Sequence, residues 1–145
     1  MENIRKMKAE EAYDILELWM KSFTHGHPFI EDNFWQKYYD TAKESYLNEK
    51  DTYVYAKDGK ILGFISVAVD GTIKGIYVDP EYHDQRIGTK LAYFVQDMYM
   101  ALNMDVYMKN QKALEYATYL GFLIVGAYVK DEEEGEICYR LSWSK

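Results

Sequence analysis

Thirteen consecutive residues, Val78-Asp79-Pro80-Glu81-Tyr82-His83-Asp84-Gln85-Arg86-Ile87-Gly88-Thr89-Lys90, have the types and order needed to grip a phosphate. An apolar run ends at a proline, a polar stretch follows, and a glycine stands just ahead of a helical pattern. A helix N-terminus at that point presents backbone N–H groups with no intrahelical partner and roughly half a positive charge from the macrodipole. Phosphate binds at such ends. Gly75-Ile76-Tyr77-Val78 reads as a strand, and Pro80 stops it because proline offers no N–H to a ladder. Leu91, Phe94, Val95, Met98 and Leu102 repeat at the spacing of a helix with one buried face. Gly88 then falls in the first turn, where a missing side chain lets a ligand approach the backbone. The same residues also fit a plain strand-loop-helix connection with a helix-start glycine, and taken alone they leave both readings open.

A second group runs from Asn110 to Phe122 and reads as a strand end, a helix and a Gly-Phe turn into a new strand. Asparagine at such a junction suits a helix cap. Proton-transfer chemistry points to the segment Ser22-Phe23-Thr24-His25-Gly26-His27-Pro28-Phe29, where His27 is the candidate base, since an unperturbed imidazole accepts a proton near neutral pH. A loop histidine beside proline also reads as a solvated polar residue. His25-x-His27 lacks a third and fourth ligand, and a single cysteine excludes a cysteine-rich zinc site, so no metal is expected. That cysteine, Cys138, lies in the alternating strand-like run Ile137–Trp143 with no His–Asp arrangement beside it. A reactive thiol needs an activating environment, and none is visible in the sequence.

The elements that must position these groups follow from periodicity. A strand over 3–7 precedes a helix over 9–23, with Ala12, Ile15, Leu16, Trp19 and Phe23 on one face, and a second helix over 31–48. Strands over 52–56 and 61–69 flank a hairpin turn at 57–60, and Asp70-Gly71 turns into a strand over 72–78. After the phosphate-loop helix come a strand over 105–108, a helix over 112–120, and strands over 122–129 and 137–143. About seven strands and four helices in this order define an α+β arrangement, with antiparallel hairpins first and a strand-helix-strand crossover in the middle.

Composition bounds the rest. The 145 residues, 48% hydrophobic, suffice for one domain over 1–145, with no linker, repeat or apolar stretch long enough to span a bilayer. One cysteine and no apolar leader segment favour a cytoplasmic setting. A net charge of −7 argues against binding a nucleic-acid backbone, although the run Asp131–Glu136, read as a solvated hairpin turn, supplies much of it. Of fifteen tyrosines, Tyr38, Tyr39 and Tyr46 fall with Trp35 on the second helix, where they either pack it against the sheet or line a cavity.

The chain resembles the GNAT superfamily of acyl-CoA-dependent N-acyltransferases over nearly its whole length, with both signatures in its second half. Val78, Pro80, Tyr82, Ile87, Gly88 and Leu91 fall where the family has them, while His83 takes an Arg/Gln position and Arg86 replaces a glycine. Asn110, Ala113, Tyr116, Ala117, Gly121 and Phe122 match the second signature in spacing. The interval from Trp19 and Ser22 to His27 and Phe29 is similar to that in some small bacterial members. The resemblance implies the GNAT fold, a mixed and mostly antiparallel seven-stranded sheet, and acetyl-CoA as co-substrate. It assigns the cofactor to Ile76, Tyr77, Val78, His83, Asp84, Gln85, Arg86, Ile87, Gly88, Thr89, Asn110, Ala113 and Tyr116. Phosphates would lie on the loop amides, where the Arg86 guanidinium could add a contact, and the pantetheine arm would meet Asn110. The N–H groups of Tyr77 and Val78 would polarise the acetyl carbonyl. An acceptor amine, of a small molecule or a peptide, would attack the thioester directly.

Ala117 stands where many members carry a tyrosine thought to protonate the departing thiolate. A thiol of pKa about 8.5 leaves without strict need of that proton. General acid help contributes about 10² to 10⁴ in rate, so its loss slows an enzyme before abolishing it. Tyr116 and Tyr119 are the catalytic substitutes considered, although neither shares the helical face of position 117, and Tyr116, where the family has phenylalanine, also reads as a packing residue with its hydroxyl satisfied at the cofactor groove. The changes at Arg86 and Ala117 lend weight to the alternative of a catalytically silent acyl-CoA-binding sensor. A homodimer is expected from the family alone.

Overall fold

A computed structural model describes residues 2–26, 35–48, 51–130 and 135–145. His27, proposed above as a base, lies outside the described residues, as do 131–134 of the acidic run. The element order is β1 (Glu2–Lys6), α1 (Ala12–Gly26), α2 (Trp35–Tyr46), β2 (Thr52–Lys57), β3 (Lys60–Val67), β4 (Ile73–Val78), α3 (Ile87–Gln96), β5 (Ala101–Tyr107), α4 (Gln111–Tyr119), β6 (Leu123–Val129) and β7 (Ile137–Ser144). Short 3-10 segments at Ala9–Glu11 and Pro80–Gln85 lead into α1 and α3. The expected α+β order is present.

Strands β1-β2-β3-β4 form one antiparallel sheet and β5-β7-β6 another. The two meet where β4 and β5 run parallel, through a single bridge between Thr72 and Asn103. The surface of β2 and β3 is buried on both sides. Phe64 and Val54 pack toward Ile15, Trp19 and Phe23 of α1, whereas their neighbours Ile65 and Tyr55 pack toward Ile87, Leu91 and Val95 of α3. That alternation is the period-two geometry of a strand covered on two faces. Among the described residues no helix is long and apolar enough to cross a membrane.

Most bounds shift by a residue or two, as where the strand expected over 61–69 ends at Val67, and the larger differences lie at α1, α3 and β5. The first turn of the expected 9–23 helix is 3-10, and α1 runs on to Gly26. Arg5 donates to both carboxylate oxygens of Glu11, at 3.0 and 2.8 Å, and Glu11 accepts the Lys8 N–H at 2.8 Å, which fixes the entry to α1. The expected face of α3 reached Met98 and Leu102, but the helix ends at Gln96. Met98 is exposed beyond it, and Leu102 is buried from β5. Leu102 and Met104 alternate with exposed Ala101, Asn103 and Asp105, so β5 begins four residues earlier than the expected strand. A four-residue interval between Met98 and Leu102 had mimicked helical spacing across a turn.

Candidate functional site

The parallel junction of β4 and β5 is closed at one end and open at the other. Asn103 N donates to Gly71 O at 3.0 Å and Thr72 Oγ1 meets Asn103 Oδ1 at 3.1 Å. Beyond this clasp the strands belong to different sheets, and α3 and α4 start near their C-terminal ends. A cavity of about 1270 Å³ occupies the gap. It collects Ile76, Tyr77, Val78, His83, Arg86, Ile87, Gly88, Thr89, Asn110, Ala113 and Tyr116, eleven of the residues assigned to the cofactor. Asp84 and Gln85 are exposed on the 3-10 segment and are not part of its lining.

The loop from β4 to α3 is held by Asp79, which is buried. Its Oδ1 accepts the Glu81 N–H at 3.0 Å and lies 3.0 Å from Lys21 Nζ of α1. Burial pushes the Asp79 carboxyl up, but the Glu81 N–H and the Lys21 ammonium outweigh it and hold the group below its ordinary value. Pro80 follows at the start of the 3-10 turn, where a missing N–H costs nothing.

Arg86 is the hinge of the loop. It ends the 3-10 segment and begins α3 in the left-handed region, with φ 59° and ψ 31°. The arginine thus carries a Cβ at positive φ, the conformation that a glycine at this position would take most easily. The first α-helical donor is Lys90 N, to Arg86 O at 3.1 Å. The amides of Ile87, Gly88 and Thr89 precede that bond and have no intrahelical carbonyl to meet. The Arg86 side chain reaches α4, where Nη2 donates to the Tyr119 hydroxyl at 2.8 Å. A Cβ on Gly88 would come no closer than 3.6 Å to Tyr116 or Val78, so the protein itself leaves room above this turn.

Packing beneath the loop depends on Gly63, which the sequence reading passed over. A Cβ there would lie 2.9 Å from Ile87 Cγ2 and 3.1 Å from Tyr77 O, so the glycine lets the first turn of α3 sit down on β3. A glycine inside a strand pattern was the available signal.

Asn110 caps α4, its Oδ1 accepting the Ala113 N–H at 3.2 Å. Ala117 is buried, whereas Tyr116 and Tyr119 are exposed at 40% and 60%, in line with their different helical faces. The Tyr116 hydroxyl accepts from Thr89 Oγ1 at 3.1 Å, which sets it beside the first turn of α3. His83 packs edge-on to His25 of α1, ring centroids 5.3 Å apart. Burial, then His25 and Lys112, lower the His83 pKa against an opposing pull from Asp79.

On the α1–α2 side the cavity is lined by hydroxyls. Tyr38 and Tyr107 share a hydrogen bond at 2.6 Å, and Tyr46 donates to Lys74 O at 2.8 Å with Tyr77 Oη 3.5 Å away. Burial raises the pKa of Tyr46, Tyr77 and Tyr107, so these groups stay protonated at neutral pH and act as donors. Of the second-helix aromatics, Tyr38 and Tyr46 line the cavity, while Tyr39 packs against Trp19 at 6.2 Å. A Cβ on Gly75 would collide with the Tyr77 ring and lie 2.9 Å from Tyr46 Oη. Cys138 is buried at the same wall. Among the described residues no group of three or more His, Cys, Asp or Glu is placed to hold a metal.

The acetyltransferase (GNAT) family model matches residues 12–122, and the chain belongs to that family. It is 36% identical over 131 residues to the peptidyl-lysine N-acetyltransferase YiaC of Escherichia coli K12, covering 90% of each chain. It is 23% identical over 133 residues to the peptidyl-lysine N-acetyltransferase YjaB of Salmonella typhimurium LT2, covering 91% of this chain and 90% of that one. The solution structure of apo YjaB from Escherichia coli superposes with a TM-score of 0.86 at 20% identity, over 99% of this chain and 97% of that one. The PaiA N-acetyltransferase of Thermoplasma acidophilum, crystallised with coenzyme A, gives 0.81 at 18% identity, over 100% and 99%. At such identity these likenesses establish the GNAT fold. An acetyl-CoA-dependent acetyltransferase activity follows at the level of the family. The residues present fit that donor: a free first turn at α3 answers its phosphates, and an elongated cleft answers its arm.

Proposed function

We propose that the chain is an acetyl-CoA-dependent N-acetyltransferase in which an acceptor amine attacks the thioester directly. The observation that carries this reading is the continuity of one cavity, from the amides of Ile87, Gly88 and Thr89, through the β4–β5 gap, to a hydroxyl-lined pocket under α1 and α2. A donor site alone would not require that second, polar chamber. The acceptor proposed is the side-chain amine of a peptidyl lysine, the class named for the relative of 36% identity.

In the reaction a C–N bond forms at the acetyl carbon, the C–S bond breaks, and the thiolate leaves. An amine of pKa about 10.4 is neutral in only about one molecule in 10³ at pH 7, a handicap near 4 to 5 kcal/mol, so a proton must be lost first. His27 is proposed to take it, directly or through water. The N–H groups of Tyr77 and Val78 are proposed to face the carbonyl as charge develops on its oxygen. With Ala117 at the position of the missing acid, the thiolate takes its proton from solvent or from Tyr116.

A thiol-release assay over small amines, polyamines, amino sugars, peptide N-termini and lysine peptides tests the proposal. Turnover is expected with lysine peptides, and none with any amine would overturn it. The second reading, a silent acyl-CoA sensor, is favoured by Ala117. It predicts heat from acetyl-CoA in calorimetry with no thiol release from any amine.

A further inference from the structure

We propose that Tyr46 of α2 is a positioning residue for acetyl transfer, its hydroxyl holding β4 in the kinked shape that aims the Val78 N–H into the cofactor gap. This rests on the acetyltransferase reading and adds a residue that would act on the thioester through the strand rather than by touching it.

β4 carries one residue more than the strand it pairs with. Ser66 of β3 lies opposite Gly75 and Val67 opposite Ile73, which leaves Lys74 as the extra residue of a bulge. A bulge bends its strand and shifts the side-chain phase by one. Both effects are present. Ile73 belongs to the core on the α3 side and Tyr77 to the core on the α1 side, although residues four apart in an unbroken strand share a face. The chain meets β5 at the Thr72–Asn103 bridge, just before the bulge, and the cavity opens beyond it. Past the bulge the ladder with β3 is regular, and Asp79 N donates to Leu62 O at 2.9 Å. Alternation along an antiparallel ladder then turns the Val78 N–H away from β3 and toward the gap.

Tyr46 is tied to both strands of the bulge. Its hydroxyl donates to Lys74 O at 2.8 Å. Its own carbonyl accepts from Thr52 Oγ1 at 2.9 Å, and Thr52 Oγ1 lies 2.9 Å from Oγ of Ser66, the residue opposite Gly75. Thr52 and Ser66 are fully buried, and the Tyr46 ring packs on Phe64 and Tyr77 with centroids 5.6 Å from each. Gly75 has no Cβ to push the phenol off its carbonyl. The Lys74 side chain is held separately, its Nζ 3.1 Å from Asp51. The extra residue is thus pinned by its carbonyl from α2 and by its ammonium from the turn before β2. Without the phenol, a buried carbonyl must find another donor, and the bulge backbone is the part that can turn to do so. Such a turn redirects the strand beyond it, and a small misplacement of a donor at a reacting carbonyl is costly in rate. The phosphate grip lies elsewhere, on the first turn of α3, which docks on β3 at Gly63.

The test compares Tyr46→Phe and Gly75→Ala with the unmodified protein, each checked by thermal melting. Thiol release with a lysine peptide gives kcat and KM, calorimetry gives the affinity for CoA, and infrared difference spectra follow bound acetyl-CoA isotope-labelled at the acetyl carbonyl. Tyr46→Phe is expected to lower kcat about tenfold with CoA affinity and KM for acetyl-CoA unchanged. The carbonyl band, lower in the unmodified protein than in water, is expected to move back toward its frequency in water. Gly75→Ala displaces the same contact from the strand side and is expected to give the same pattern, so either variant that folds decides the matter. A merely structural tyrosine would lower Tm while leaving kcat and the band as they were, and that result would overturn the assignment. If no amine releases thiol from the unmodified protein, the acetyltransferase reading fails, and the carbonyl band still decides this one: a band unmoved by either substitution refutes it.

Discussion

Replacing Arg86 by glycine and by alanine isolates the strain in the phosphate loop. Both variants lose the guanidinium and its hydrogen bond to Tyr119, so those losses cancel in the comparison. What remains is the backbone at φ 59°. A residue with a Cβ held in the left-handed region costs roughly 1–2 kcal/mol. Glycine escapes that cost but adds about 0.4–1 kcal/mol of chain entropy to the unfolded state. Arg86→Gly is therefore expected to be more stable than Arg86→Ala by about 1 kcal/mol, or roughly 2–4 °C in Tm for a chain of this size. Scanning calorimetry or urea titration reads the difference. Titration with CoA gives the second half of the answer, since both variants should bind it more weakly, by about tenfold, if the guanidinium assists the phosphates. An alanine variant as stable as the glycine one would show that residue 86 is not left-handed in solution. The amides of 87–89 would then not be aimed as described.

Gly63→Ala is expected to destabilise by about 1–3 kcal/mol and to weaken CoA binding, because its Cβ would push on Ile87 in the first turn of α3; a melt and a CoA titration together check this, and unchanged values would show that the strand has room. The Asp79 carboxyl, whose pKa is lowered on folding, contributes stability that is present above about pH 4 and is lost as pH falls through its folded value. Asp79→Asn should therefore cost about 1 kcal/mol at pH 7 and flatten the stability profile below about pH 4, as followed by urea unfolding at a series of pH values. Tyr116→Phe removes a hydroxyl placed at Thr89 and is expected to raise KM for acetyl-CoA a few-fold while sparing kcat. A fall of about 10² or more in kcat would instead assign Tyr116 as the proton donor.

Local chemistry made much of this protein legible in advance. Pro80 ends β4, Gly88 falls in the first turn of α3, Asn110 caps α4, and the alternating run at the C-terminus is β7, all because backbone rules act over a few residues. The separation of Ala117 from Tyr116 and Tyr119 likewise needed only the helical repeat. Three things required the fold. The sequence could not say that Arg86 would adopt a left-handed backbone, since that conformation is imposed by the junction of a 3-10 turn with a helix docked on β3. It gave no reason to connect Gly63 with Ile87 or Gly75 with Tyr46, because those contacts join separate strands and helices. And Lys74 was one more residue in a run read as a strand. Its partner Tyr46 comes from α2, its place as the extra residue of a bulge exists only in the register against β3, and the cavity it lines exists only because β4 and β5 part beyond Thr72 and Asn103. Contacts between distant segments depend on register and packing, which no short-range pattern encodes.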